Sequence, residues 1–124
     1  MRKVILFIAL VATPVFASDW VRLTETDTGS VVEIDTESRG LSGSIARIWL
    51  RIDHSKDATK KARQSKELWK FNCQSGTSFT ASWVNYAADG SVISSGSPLE
   101  YDFKYEPVVP DTVGDTVMKI ACDS

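Results

Sequence analysis

Between Ser44 and Asp53 apolar and polar residues alternate without a break. Ala46, Ile48, Leu50 and Ile52 fall on one side of an extended strand, and Arg47, Trp49, Arg51 and Asp53 fall on the other. One side is a core face and the other is a wet face. A sheet built around such a strand buries its apolar face only if something covers it.

The flanking sequence supplies further strands. Trp20 to Thr24 is β-prone, Asp27-Thr28-Gly29 signals a turn, and Val31 to Thr36 reads as a second strand, so the two form a hairpin. Arg39-Gly40-Leu41-Ser42-Gly43 reads as a break before the alternating strand. Ser65 to Cys73 places Trp69, Phe71 and Cys73 on one face and Lys66, Lys70 and Asn72 on the other, where Leu68 joins them. After Gln74-Ser75-Gly76 the chain returns from Thr77 to Tyr86 with Phe79, Ala81 and Trp83 in phase, which predicts an antiparallel pair. Asp89-Gly90 is a strong hairpin dipeptide and leads into an edge strand over Ser91 to Ser95.

Past Pro98 the pattern changes. Tyr101, Phe103 and Tyr105 precede Pro107 and Pro110 in an irregular stretch. Thr112 followed by Asp115 resembles a capping box, and Val113, Val117, Ile120 and Ala121 lie at helical spacing on one face. This C-terminal helix is the one amphipathic element available to cover the sheet. The expected fold is therefore α+β: a single antiparallel sheet of about six strands with the helix packed on one face.

Arg2 and Lys3 before the apolar run Val4 to Val11, with small residues ending at Ala17, predict a cleaved secretory signal peptide over residues 1–17. The run is too short for a membrane-spanning helix, which needs about 20 apolar residues. The remaining 107 residues make one domain, 18–124, with 12 basic and 16 acidic side chains and a net charge of −4. No cysteine lies near Ala17, so no lipid anchor is expected there. In an oxidising compartment Cys73 and Cys122 most simply form one disulfide. Cys73 shares its strand's apolar face and Cys122 follows Ala121, so the bond would pin the helix across the sheet.

Several chemistries are excluded or disfavoured. A pI near 5.3 is wrong for a dedicated nucleic-acid binder. No Cys-x-x-Cys, histidine pair, Asp-x-Asp-x-Asp-Gly loop or phosphate-cradling glycine loop is present, so neither a metal nor a nucleotide cofactor is expected. The single histidine, His54, stands beside Asp53, but no Gly-x-Ser-x-Gly elbow accompanies it, and the two read as a polar pair on the surface without a catalytic role. Glu33, Asp35 and Glu37 alternate along a strand and read as a solvated face. No catalytic residue is assigned.

Charge is distributed unevenly. Residues 54–70 carry Lys56, Lys60, Lys61, Arg63, Lys66 and Lys70 against Asp57 and Glu67, net +4, which leaves −8 on the rest of the mature chain. The polar stretch Ser55 to Gln64 reads as a long connection with a helical turn around Ala58 to Arg63. A basic loop on an acidic body suits an anionic partner, or is a solvated loop whose lysines confer solubility. Trp49 between Arg47 and Arg51 suits an interface anchor, or is covered by a neighbouring element. The candidate partner-binding residues are thus Lys56, Lys60, Lys61, Arg63, Lys66, Arg47, Trp49 and Arg51.

An early tryptophan, the strand "ARIWLRID", a strand ending in "KFNC", the hairpin "YAADGSVISS" and a terminal "VVPDTVGDTVMKIAC" follow one another in this order. The combination resembles the bacterial surface-adhesin protein E family over the whole mature chain. The resemblance implies a single antiparallel sheet with a disulfide-bonded C-terminal helix, a tendency to dimerise, and non-enzymatic binding of host matrix or plasma proteins by an exported Gram-negative protein. Only Cys73 and Cys122 carry over as residues with a role, the disulfide. The adhesin that names the family is a lipoprotein, whereas here a free product is expected, so the alternative is a periplasmic envelope protein or enzyme inhibitor.

Overall fold

The computed structural model describes residues 19–99 and 104–123; the segment 1–17 expected to be a signal peptide, Tyr101 and Phe103 lie outside the described residues. The strands are β1 (Trp20–Glu25), β2 (Val31–Ser42), β3 (Ile45–Asp53), β4 (Gln64–Asn72), β5 (Thr77–Tyr86), β6 (Val92–Gly96) and the short β7 (Glu106–Pro107), followed by one helix, α1 (Val113–Cys122). Six strands lie side by side in sequence order, all antiparallel, and β7 pairs with the first residues of β5. This meander follows from short connections, which favour pairing of neighbours in the chain.

The alternating segment behaves as its pattern demands. Ala46, Ile48 and Leu50 have no exposed surface, and their register partners Ile34, Phe71 and Trp69 extend the same face onto β2 and β4. Helix α1 lies on this face against β2, β3 and β4, with Val117 and Ala121 fully buried and Val113 and Ile120 packed beside them. The Cys73–Cys122 disulfide joins the end of β4 to the end of the helix, with Cα atoms 5.7 Å apart. Arg39 adds a second tether by donating from Nε to the Ala121 carbonyl at 3.0 Å, a cation at a helix C-terminus.

The start of α1 is capped as expected, with one change of partner. Thr112 Oγ1 accepts from the Asp115 backbone N–H at 3.2 Å, while the Asp115 carboxylate accepts from the Asp111 N–H and pairs with Lys119. Those two contacts hold the Asp115 carboxyl below its usual range, the Asp111 hydrogen bond contributing most. Thr112→Ala is expected to cost about 1 kcal/mol in chemical denaturation, because the Asp115 amide then loses its acceptor.

Three expectations are corrected. The break at residues 39–43 is instead the end of β2: the register slips between Asp35 and Gly40, residues 36–39 form a bulge, and the strand resumes to Ser42 before a tight turn with Gly43 at φ 60°. A bulge at Ala81 also moves β5 out of phase, so Phe79 pairs with Lys70 on one face and Trp83 pairs with Glu67 on the other. Finally, the 54–63 connection contains no helical turn. It is built from two hydrogen-bonded turns, Asp57 N–H to His54 carbonyl and Lys60 N–H to Asp57 carbonyl, and is fixed to the sheet by Arg63 N–H on the Tyr86 carbonyl. Among the described residues no helix is long and apolar enough to cross a membrane.

Candidate functional site

Helix α1 lies on one face of the sheet and leaves the opposite face without a helical cover among the described residues. Register places the wet side of β3 at the centre of that face: Asp35, Trp49, Leu68 and Ser82 form one row, and Glu33, Arg51, Lys66 and Val84 the next. Arg47, Lys70 and Phe79 form a third row, beside which Tyr105 stacks edge-on to Phe79 at 4.5 Å.

These side chains are held in different ways. Arg51 is clamped, donating from Nε and Nη2 to the two Glu33 oxygens at 3.1 and 3.0 Å while its guanidinium sits 4.6 Å from the centre of the Trp20 ring. Lys66 extends over Tyr86, its ammonium 5.7 Å from the ring centre. Arg47 is exposed and crosses Gly40, where a Cβ would come within 2.7 Å of its Nε. Trp49, half-buried, therefore stands among cations and apolar side chains on a surface supported by hydrogen-bonded strands.

The eight candidate residues separate into two groups. Arg47, Trp49, Arg51 and Lys66 share the helix-free face; Lys66 belongs to β4 and not to the basic connection. Lys56, Lys60, Lys61 and Arg63 lie in the 54–63 connection at the sheet's end, where Arg63 donates to the Ser55 carbonyl and Lys60 borders a cavity on the helix side. Trp20, Leu68, Val84 and Tyr86 complete the helix-free face and were not among the candidates. Leu68 on a polar face was a visible signal, and Val84 and Tyr86 alternate with Trp83; what the Ala81 bulge adds to this face is Phe79.

The acidic row does not persist as a solvated face. Glu33 binds Arg51, Asp35 is buried and accepts from the Asp19 and Glu37 amides, and Glu37 lies in the β2 bulge. Among the described residues no group of His, Cys, Asp or Glu is arranged to hold a metal ion.

His54 is likewise not paired with Asp53, whose carboxylate caps the Ser55 amide at 2.8 Å. The imidazole turns toward the helix side and bridges the end of the β1–β2 turn to β4, with Nδ1 3.0 Å from Ser30 Oγ and Nε2 3.0 Å from Ser65 Oγ. Ser65 donates to Asn85 Oδ1 at 2.6 Å, so it accepts from Nε2–H, and the neutral ring accepts at Nδ1 from the Ser30 hydroxyl. Desolvation and then Lys60 lower the pKa of His54, against the opposing pull of Glu67, Asp57 and Asp53. A base whose folded pKa is depressed resists the proton that the unfolded chain accepts, so stability falls as pH drops below the ordinary histidine value. Denaturation midpoints at pH 7.5 and 5.5 are expected to differ more for the wild type than for His54→Gln. An equal pH dependence would contradict this linkage.

Comparison with known proteins agrees with this architecture. A search of curated proteins found no match to the chain. One crystal structure of Haemophilus influenzae protein E, crystal form II, is 17% identical, covers 86% of this chain and 88% of its own, and superposes with a TM-score of 0.56. A second, protein E from non-typeable Haemophilus influenzae, is 16% identical over 86% and 85% of the two chains, with a TM-score of 0.47. The family model described as surface-adhesin protein E matches residues 20–123, nearly the whole described chain. The chain thus belongs to the surface-adhesin protein E family.

Proposed function

We propose that this protein is a non-enzymatic, exported adhesin-like module that docks acidic surfaces of host matrix or plasma proteins through the helix-free face of its sheet. The observation that carries this reading is Trp49, set between Arg47 and the clamped Arg51, with Lys66, Lys70 and Leu68 on the adjoining strand. A large amphipathic ring on a rigid strand loses little conformational freedom on binding. The surrounding cations supply complementarity to carboxylates and speed encounter. Family membership supports an adhesive role, and the strands' mutual hydrogen bonding keeps the surface preformed.

Binding to a panel of immobilised matrix and plasma proteins, read by interferometry, tests this directly. Trp49→Ala is expected to weaken binding by about 2 kcal/mol, roughly 30-fold, as for a central anchor. Arg47→Glu should weaken it further at low salt, whereas Lys60→Glu with Lys61→Glu should change it less. Loss of binding in the loop variant alone would move the docking site to the 54–63 connection. Protease treatment of intact cells then separates surface display from a periplasmic location. Digestion of the protein supports the adhesin reading, and protection with no matrix binding favours an envelope or inhibitor role.

A further inference from the structure

Helix α1 does not fill the whole face it covers. Past its first turn, the β1–β2 turn and the 54–63 connection rise on the same side of the sheet around a cavity of about 280 Å³. Its floor is apolar: Val32 from β2, Ile52 from β3, Trp69 from β4 and Val113 from the helix. Trp69 is steadied there by its Nε1–H, which donates to Glu67 Oε1 at 3.2 Å.

Two of the polar groups around the cavity already have partners. His54 is held at both nitrogens by Ser30 and Ser65. Asp57 Oδ1 accepts from the Thr59 amide at 3.0 Å and from the Thr59 hydroxyl at 2.6 Å. Lys60 differs: it is exposed, lines the cavity, and forms no ion pair among the described residues. An apolar floor, a half-buried imidazole and a lysine with no salt bridge among the described residues therefore converge on a single space.

We propose that this cavity binds a small amphipathic carboxylate, its apolar body on Val32, Ile52, Trp69 and Val113 and its carboxylate on the Lys60 ammonium. The size is right for this class. An apolar cavity of about 150 Å³ holds benzene, so the space here accommodates one aromatic ring with a short tail, or a short acyl chain. Lys60 repels an amine, and the Asp57 carboxylate, although ionised, already accepts two Thr59 donors at Oδ1. A neutral alcohol would form no ion pair with Lys60. The site lies on the helix side of the sheet, so it is independent of the proposed docking face.

The test is a titration of the oxidised, full mature chain with 3-phenylpropionate, followed by NMR. His54 is the chain's single histidine and gives one ring signal, and the Trp69 indole reports the floor. Saturable shifts of both signals are expected. The alcohol 3-phenylpropanol and the amine 3-phenylpropylamine should bind at least about tenfold more weakly, and Lys60→Gln should lower phenylpropionate affinity by a similar factor. Lys60→Arg should retain binding, and Val113→Phe, which fills the cavity from the helix, should abolish it. No shift by about 10 mM ligand, or equal binding of acid, alcohol and amine, would overturn the proposal.

Discussion

Phe71→Ala is expected to destabilise the folded domain by about 3–5 kcal/mol, the range for removing a fully buried aromatic ring. Phe71 has no exposed surface and sits opposite Ala46 in the β3–β4 register. Its ring meets Trp69 edge-on with centroids 6.2 Å apart, and it belongs to the same buried cluster as Val117 and Ala121 of the helix. Ala46 and Ala121 are too small to move into the space left behind, so the cavity would persist, and persistent cavities account for the high end of such losses. Urea denaturation at neutral pH with the disulfide intact measures the effect. Since domains of this size are stable by about 5–15 kcal/mol in all, the variant should unfold at much lower denaturant. A loss under about 1.5 kcal/mol would mean that the helix collapses onto the sheet more freely than the packing indicates.

The second large effect is expected from the disulfide. Cys73 and Cys122 are 49 positions apart, and closing a loop of that length stabilises by about 4 kcal/mol on the chain-entropy model. The consequence is sharper here than the loop length alone suggests. The helix packs mainly on β2, β3 and β4, and its docking rests on the disulfide, the Arg39 bond to Ala121 and a small apolar patch centred on Val117. Cys73→Ser with Cys122→Ser should therefore lower the denaturation midpoint strongly and increase binding of an apolar dye as Ala46, Ile48 and Phe71 become accessible. If the double variant matched the wild type within about 1 kcal/mol, the tether would be incidental to helix docking. Intact mass after alkylation without reduction checks the premise, since both thiols should be unreactive.

The helix-free face and the cavity place different demands on the same sheet. The proposed binding at Trp49 requires that β3 keep its register with β2 and β4, because a one-residue slip would turn Trp49 and Arg47 inward. The buried side of β3 prevents that slip, since Ile48 and Leu50 have nowhere else to go. The cavity depends on the two loops at the sheet's end, and these are held by His54 between Ser30 and Ser65. Loosening that bridge at acidic pH would be expected to disturb the cavity before the docking face.

Much of this architecture could be read from residue order because the relevant forces are local or periodic. Alternation at residues 45–53 specified a one-sided strand, Thr112 with Asp115 marked the helix start, and two cysteines on matching apolar surfaces specified the tether. The candidate face was legible in part, since Arg47, Trp49 and Arg51 lie on one side of one strand by period two alone. What tertiary structure decided was everything that depends on register between strands. The Ala81 bulge put Phe79 and Trp83 on opposite faces, the β2 bulge carried Arg39 to the helix C-terminus, and pairing with β3 set Lys66 beside Arg51 on the proposed docking face. His54 turned from its neighbour Asp53 to hydroxyls 24 and 11 residues away, because a half-buried imidazole needs partners at both nitrogens and chain proximity offered only one carboxylate. Periodicity specifies which way a side chain points within one element; a bulge or a distant partner is set by how elements fit together, and no window of sequence contains that information.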